Sequence, residues 1–265
     1  MEQYINKIIN ADCLEIMKNI PNESIDLVCT DCPYKIIGGG CTTGIYGNQT
    51  KQREYEKDIE TGRMVLKGTK HINLGGSVFN DDSKYVRNGT LFAHNDIEFE
   101  DWLPEIYRVL KNNTHCYIMV NGRNLAELQK QAEKVGFKYQ NLLVWEKGNA
   151  TPNKFYLNAC EFILMLRKGG ERWINNMGSK TLLKCPNIIG DKNHPTEKPV
   201  PLMEILIANS TNENDIVLEP FAGAGATCIA AKNLKRRFIG IEIDPKYCDV
   251  ANKRLEESQR QQMLF

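Results

Sequence analysis

Residues 215–242 constrain this chain more than any other stretch. Asp215-Ile-Val-Leu218 reads as a buried strand that runs into Glu219-Pro220-Phe221-Ala222-Gly223-Ala-Gly225-Ala-Thr227, a turn carrying two glycines, and then into a helix reaching Leu234. A second strand, Arg237-Phe-Ile-Gly-Ile241, ends on Glu242 and Ile243. Glycines let a backbone approach a ligand closely, and a helix N-terminus offers unpaired N–H groups. A carboxylate closing the next strand, about twenty residues on, can accept hydrogen bonds from both hydroxyls of a ribose. The pair implies a layered α/β domain with a site for an adenosine-containing ligand at the carboxyl edge of its sheet. A dinucleotide is disfavoured, because its fingerprint needs Gly or Ala where Cys228 stands and normally opens a domain. On these residues alone, a tight strand-to-helix turn without a ligand stays open.

The rest of the chain alternates in the same way. Strands are predicted at 4–9, 24–29, 115–120, 142–145 and 161–166, and helices at 14–19, 98–110, 124–135, 200–210 and 245–259. A length of 265 residues suits one such domain with some elaboration. Two stretches break the pattern: 36–95, rich in glycine, lysine and polar residues, and 167–193, which is basic, glycine-bearing and carries an exposed Trp173. No apolar run approaches the roughly twenty residues of a membrane span, and the first residues lack a signal-peptide pattern, so a reducing, cytoplasmic protein is expected. Lys and Arg (34) nearly balance Asp and Glu (33), so any nucleic-acid surface must be a local patch. Nine cysteines show no framework spacing. Cys29 and Cys32 form a C-x-x-C followed by Cys41, but without a second pair no metal site is expected.

Three short clusters remain. Asp31-Cys32-Pro33-Tyr34 follows the strand at 24–29, Asn10-Ala-Asp12-Cys13 follows the first strand, and His194-Pro-Thr196-Glu197-Lys198-Pro199 leads into the helix at 200. Read blandly, these are a turn, a helix cap at Asp12 and a proline-rich helix entry with Lys198 in solvent. Together with the glycine turn, and in this order, they resemble the beta-type, permuted family of S-adenosylmethionine-dependent DNA amino-methyltransferases, which act on adenine N6 or cytosine N4. The likeness covers nearly the whole chain apart from 36–95 and about 167–193.

The resemblance implies a single catalytic domain over 1–265 with a Rossmann-like class I methyltransferase fold. That fold is a mostly parallel seven-stranded sheet with helices on both faces and a circularly permuted motif order. It implies S-adenosylmethionine as cofactor. Glu219, Pro220, Phe221, Ala222, Gly223, Gly225 and Thr227 would serve its methionine end, Glu242 and Ile243 its ribose, and Asp12 and Cys13 its adenine. His194, Thr196 and Lys198 would help hold its carboxylate. Asp31, Cys32, Pro33 and Tyr34 match the D-P-P-Y catalytic tetrad. The lone pair of an exocyclic amino group is delocalised into its ring, so acceptors must draw on the amino hydrogens. The Asp31 carboxylate and the Cys32 carbonyl can supply two, and Tyr34 can stack on a base flipped out of double-stranded DNA. Cys32 departs from the family's proline. The acceptor there is a main-chain oxygen that any residue supplies, and Pro33 still biases Cys32 towards an extended conformation.

An aspartate at the head of the tetrad favours adenine N6, since cytosine-N4 relatives more often begin with serine. A cytosine-N4 enzyme and an inactive cofactor-binding relative are the alternatives. RNA or protein-glutamine methylation is disfavoured by the same Asp and by the motif order. DNA contacts are expected from 36–95, with Lys51, Arg53, Lys57, Arg63, Lys67, Lys70 and His71, and target recognition from 167–193. The tail Gln261-Gln-Met-Leu-Phe265 resembles the Q-x-x-L-F peptide that docks on bacterial sliding clamps, a frayed terminus being the alternative. A homodimer is a further expectation from the family.

Overall fold

The computed structural model describes residues 1–33, 55–57, 64–66, 97–151, 156–188 and 197–262, with side chains placed for all but 55–57, 64–66, 151 and 259–262. Ten strands and six α-helices are found among them: β1 (Lys7–Asn10), α1 (Cys13–Lys18), β2 (Ile25–Asp31), β3 (Tyr55–Lys57), β4 (Met64–Leu66), α2 (Phe99–Val109), β5 (Leu110–Val120), α3 (Leu125–Val135), β6 (Lys138–Thr151), β7 (Asn158–Lys168), β8 (Leu182–Lys184), α4 (Val200–Ser210), β9 (Ile216–Glu219), α5 (Ala226–Asn233), β10 (Arg237–Glu242) and α6 (Pro245–Gln262).

Eight strands form one sheet in the order β1-β10-β9-β2-β5-β7-β6-β8, and β3 pairs with β4 separately. From β1 to β5 every pairing is parallel, β7 runs antiparallel to both neighbours, and β8 lies parallel to β6. The chain leaves β1 at one edge of the sheet and re-enters beside β9 as β2. This crossover places the end of β2 next to the glycine turn that follows β9, the kind of position where open α/β sheets bind ligands.

The sheet has eight strands where seven are expected. The additional strand, β8, lies inside the segment read as irregular and is three residues long, too short for a periodic signal. It is held where Val144 and Trp145 pair with Leu182 and Leu183, and the buried Trp145 indole donates to the Cys185 carbonyl at 2.7 Å. The β3–β4 pairing likewise lies within 36–95.

Each face of the sheet carries its own core. Along β2, Leu27 and Cys29 join one apolar cluster and Val28 joins the other, as side chains alternating across a strand must. Six consecutive residues of β2 from Ile25 are buried, because helices cover both faces. Helices α4, α5 and α6 supply Leu202, Met203, Leu206, Cys228 and Ala251 to the first cluster. Helices α1, α2 and α3 supply Met17, Trp102, Ile106, Leu128 and Ala132 to the second. Helix α2 opens on a capping box in which Glu98 and Asp101 satisfy each other's main-chain N–H. Helix α3 ends on Gly136 at φ 119°, a left-handed cap that glycine adopts without steric cost.

Candidate active site

The parallel strands β1, β10, β9 and β2 end along one edge of the sheet, and most of the sequence-predicted site residues meet there. Asn10 closes β1 opposite Glu242 at the end of β10, and its side-chain amide donates to the carbonyls of Glu242 (2.9 Å) and Ile243 (3.0 Å). Next to it Asp12 caps α1, its Oδ1 accepting from the Leu14 N–H at 2.7 Å. The capping role expected of Asp12 is therefore real, and it leaves the residue at the mouth of the edge, half-buried.

The turn after β9 is held through main-chain N–H groups that meet a carbonyl and the Glu242 carboxylate. Ala222 N–H donates to the Ile241 carbonyl (2.8 Å), and Gly223 N–H donates to Glu242 Oε2 (2.7 Å), while Glu242 Oε1 accepts from Asp244 N–H (2.9 Å). Gly223 and Gly225 sit at φ 51° and 79°, where an L side chain is strained. Gly225 is also a packing position: a Cβ there would lie 3.1 Å from both Ala251 Cβ and Ile8 Cδ1. Phe221, half-buried, stacks edge-to-face on Trp102 at 5.2 Å between centroids.

Two residues of this motif turn inwards. Glu219 is buried, with Oε1 accepting from Thr30 Oγ1 (2.5 Å) and Phe221 N–H (3.1 Å) and Oε2 accepting from Thr227 Oγ1 (2.8 Å). Burial pushes its carboxyl up to about 8, against the opposing effect of those hydrogen bonds. Glu219 and Thr227 thus shape the turn from beneath, and Pro220 and Ala222 are buried with them. Cys13 is buried at the start of α1, its thiol pushed up to about 12 by burial and by Asp12.

Asp31 ends β2. Its Oδ2 accepts from Lys198 Nζ at 2.5 Å, and Lys198 in turn lies 3.6 Å from Glu161 Oε2. Lys198 is therefore buried in an ion-pair row, and the solvated reading of that lysine is excluded. Burial raises the Asp31 carboxyl above its ordinary value, and Lys198 only partly offsets this. Burial lowers the proton affinity of the Lys198 ammonium, but Asp31 and Glu161 outweigh it and hold the ammonium well above its usual range. Cys32 is buried behind Asp31, its thiol donating to the Met119 carbonyl at 3.5 Å and held well above the usual thiol range by burial. Pro33 is half-buried. Tyr34, His194 and Thr196 lie outside the described residues, as do most of 36–95 and residues 263–265 of the tail.

Glu161, Lys147 and Thr30 belong to this edge and were not among the predicted site residues. Glu161 and Lys147 reach it because β7 runs antiparallel, so that its beginning and the end of β6 meet the end of β5. A signal existed for Glu161, a charged residue that opens the apolar run to Leu166, whereas Lys147 follows Glu146 and Thr30 is an uncharged strand residue.

The residues present suit an adenosine-based cofactor with a charged tail. The turn carries the conformational freedom and close packing that a ligand-facing glycine loop needs, with the Glu242 carboxylate bonded to Gly223 N–H, Phe221 within it, and Asp12 just past the strand that pairs with β10. The polar end of Asp31 is within one residue of the contact that joins β2 to the turn.

A family model described as DNA methylase, covering N6 and N4 enzymes, matches residues 25–253. The Type II methyltransferase M.HinfI of Haemophilus influenzae is 30% identical over 97% of this chain and 70% of its own length. The Type II methyltransferase M2.DpnII of Streptococcus pneumoniae is 27% identical over 96% and 92%. Among solved structures, the M1.HpyAVI–SAM complex superposes with a TM-score of 0.62 at 25% identity, covering 94% of this chain and 98% of the other. PvuII DNA methyltransferase, cytosine-N4-specific, shares the fold at a TM-score of 0.61 and 16% identity, covering 96% and 92%. The chain belongs to the N6/N4 DNA methylase family, S-adenosylmethionine-dependent methyltransferases with a Rossmann-like class I fold.

Proposed function

We propose that the protein transfers the methyl group of S-adenosylmethionine to N6 of adenine in double-stranded DNA. The observation that carries this reading is Asp31. It stands at the carboxyl end of β2 with one oxygen bonded to Lys198, and Thr30 beside it is bonded to the first residue of the glycine turn. The fold does not choose the base, since a cytosine-N4-specific enzyme shares it. The aspartate at the head of the tetrad supports adenine.

When bound, S-adenosylmethionine supplies an electrophilic methyl group. The main chain of 223–225, with Phe221, Asp12 and Glu242 around it, would hold that cofactor. The Asp31 carboxylate accepts a hydrogen bond from the amino group and the Cys32 carbonyl accepts a second, which favours a pyramidal nitrogen with its lone pair available for direct attack. Asp31's raised proton affinity makes it a better acceptor for the proton that the methylated nitrogen must lose. No covalent intermediate with the protein is needed. The base reaches this edge only after leaving the duplex, and Tyr34 would stack on it. Residues 36–95 and 167–193 would contact DNA, and in the second of these Trp173 is 78% exposed.

The test is incubation with unmethylated genomic DNA and labelled S-adenosylmethionine, then nuclease digestion and mass spectrometry of the nucleosides. N6-methyldeoxyadenosine is the expected product. N4-methyldeoxycytidine would keep the mechanism and overturn the choice of base, and unlabelled DNA would contradict both.

A further inference from the structure

Glu161 belongs to none of the motifs, yet it faces the same lysine as Asp31. Its Oε2 lies 3.6 Å from Lys198 Nζ and its Oε1 lies 3.3 Å from Lys147 Nζ. Both lysine side chains are nearly enclosed, at 9% and 8% exposure. The result is a row of alternating charge, Lys147, Glu161, Lys198 and Asp31, drawn from β6, β7, the segment ahead of α4, and β2. A lysine on its flexible four-carbon stem is a poor fixed point by itself. Glu161 gives it a second carboxylate partner besides Asp31, and Glu161 stands on a strand hydrogen-bonded on both sides. Among the described residues Asp31 is bonded through Oδ2 only, to Lys198.

We infer that Glu161 is a positioning residue for methyl transfer, holding Lys198 on Asp31 Oδ2 so that the carboxylate keeps its other oxygen for the substrate amino group. The inference rests on the assignment of Asp31 as acceptor. It differs in sign from a simple charge effect. Among the described residues, the charged and titratable groups facing Asp31 are Lys198, Glu161 and, beyond them, Lys147, with the Cys32 thiol next to it and Glu219 behind Thr30. As a like charge, Glu161 raises Asp31's proton affinity, whereas Lys198 lowers it. Removing Glu161 while Lys198 stays in place would therefore make Asp31 more acidic. Releasing Lys198 makes it less acidic.

The experiment compares wild type, Glu161→Gln and Glu161→Asp, the last retaining the charge but drawing it back by one methylene. The Asp31 carboxyl carbon is titrated by NMR in protein carrying ¹³C-labelled aspartate, with Asp31→Asn to assign the signal, and kcat is measured against pH. In Glu161→Gln the carboxyl titrates about one pH unit higher and the acid limb of kcat moves with it, while kcat near neutrality falls about tenfold. Glu161→Asp moves both the same way by less, and the far-ultraviolet circular dichroism spectrum, which reports folding, is unchanged in both variants. A carboxyl that titrates at the same or lower pH in the variants overturns the inference. Wild type without turnover would instead overturn the assignment of Asp31, and the carboxyl titration would still decide whether Glu161 positions the pair.

Discussion

Thr30 Oγ1 donates to Glu219 Oε1 at 2.5 Å, and this contact joins the residue before Asp31 to the residue that opens the glycine turn. Glu219 also accepts from Phe221 N–H and Thr227 Oγ1, so one buried carboxyl gathers the end of β2, the turn and the first turn of α5. The strand end that would carry the acceptor and the loop that would carry the cofactor are thereby held as one piece.

That arrangement has a pH signature. The Glu219 carboxyl is pushed up to about 8 by burial, from an ordinary value of 4.5. A carboxyl whose folded value exceeds its unfolded one holds its proton more tightly when folded. Between 4.5 and about 8 the unfolded chain has released that proton and the folded chain has not, so this group's contribution to stability falls as pH rises through the window. Glu219→Gln is expected to flatten that decline. Urea-unfolding midpoints across the window check it, and an equally steep decline in the variant would refute the assignment.

Gly240, in the middle of β10, admits no side chain. A Cβ there would lie 2.6 Å from Cys228 Sγ on α5 and 3.1 Å from Ile8 Cγ1. Gly240→Ala is expected to destabilise the fold by about 2 kcal/mol through overpacking. Adding Cys228→Ala should recover part of the loss, giving a non-additive double-mutant cycle in thermal or urea unfolding. Strict additivity would show that the cost of Gly240→Ala does not come from its contact with Cys228.

Asp12 has two separable roles. Asp12→Ala removes the α1 cap and is expected to cost about 1 kcal/mol. Asp12→Ser keeps a capping oxygen and most of that stability. If Asp12 also meets the cofactor, both variants bind S-adenosylmethionine about tenfold more weakly in titration calorimetry, a loss of the size of one hydrogen bond to a charged group. Unchanged affinity in Asp12→Ser would leave the cap as its whole function.

Arg254 on α6 ties the end of the chain to the site. It pairs with the buried Glu197 at 2.6 Å and donates to the Ala224 carbonyl within the glycine turn. Removing the guanidinium strips a buried carboxylate of this cation, and Arg254→Met is expected to cost about 3 kcal/mol. Arg254→Met with Glu197→Gln should cost less than Arg254→Met alone. A double variant no more stable than the single would show that the pair carries no coupling.

Most of the fold was legible in residue order. The all-round apolar run at 200–210, the strand at 237–241 and the glycine turn between β9 and α5 each carry a strong local pattern, and α4 falls on the residues expected. Short β8 was not legible, because three residues have no period and its place is set by β6. The site was legible where chemistry sits in contiguous motifs, at Asp31, Gly223 and Glu242. It was not legible where the sheet assembles it. The antiparallel course of β7 alone brings Glu161 to Lys198, and the β2–β9 pairing alone brings Thr30 to Glu219. The sequence also left Lys198 open between solvent and cofactor, and packing excludes solvent by burying the lysine against Asp31 and Glu161.

The most direct measurement is single-turnover methyl transfer from labelled S-adenosylmethionine to unmethylated DNA by wild type and Asp31→Asn, with cofactor affinity measured on both. The account predicts labelled N6-methyladenine from wild type. It predicts that Asp31→Asn binds the cofactor equally well but transfers roughly a thousandfold more slowly. Transfer by Asp31→Asn at a rate near wild type would contradict the role given to Asp31 and the mechanism built on it.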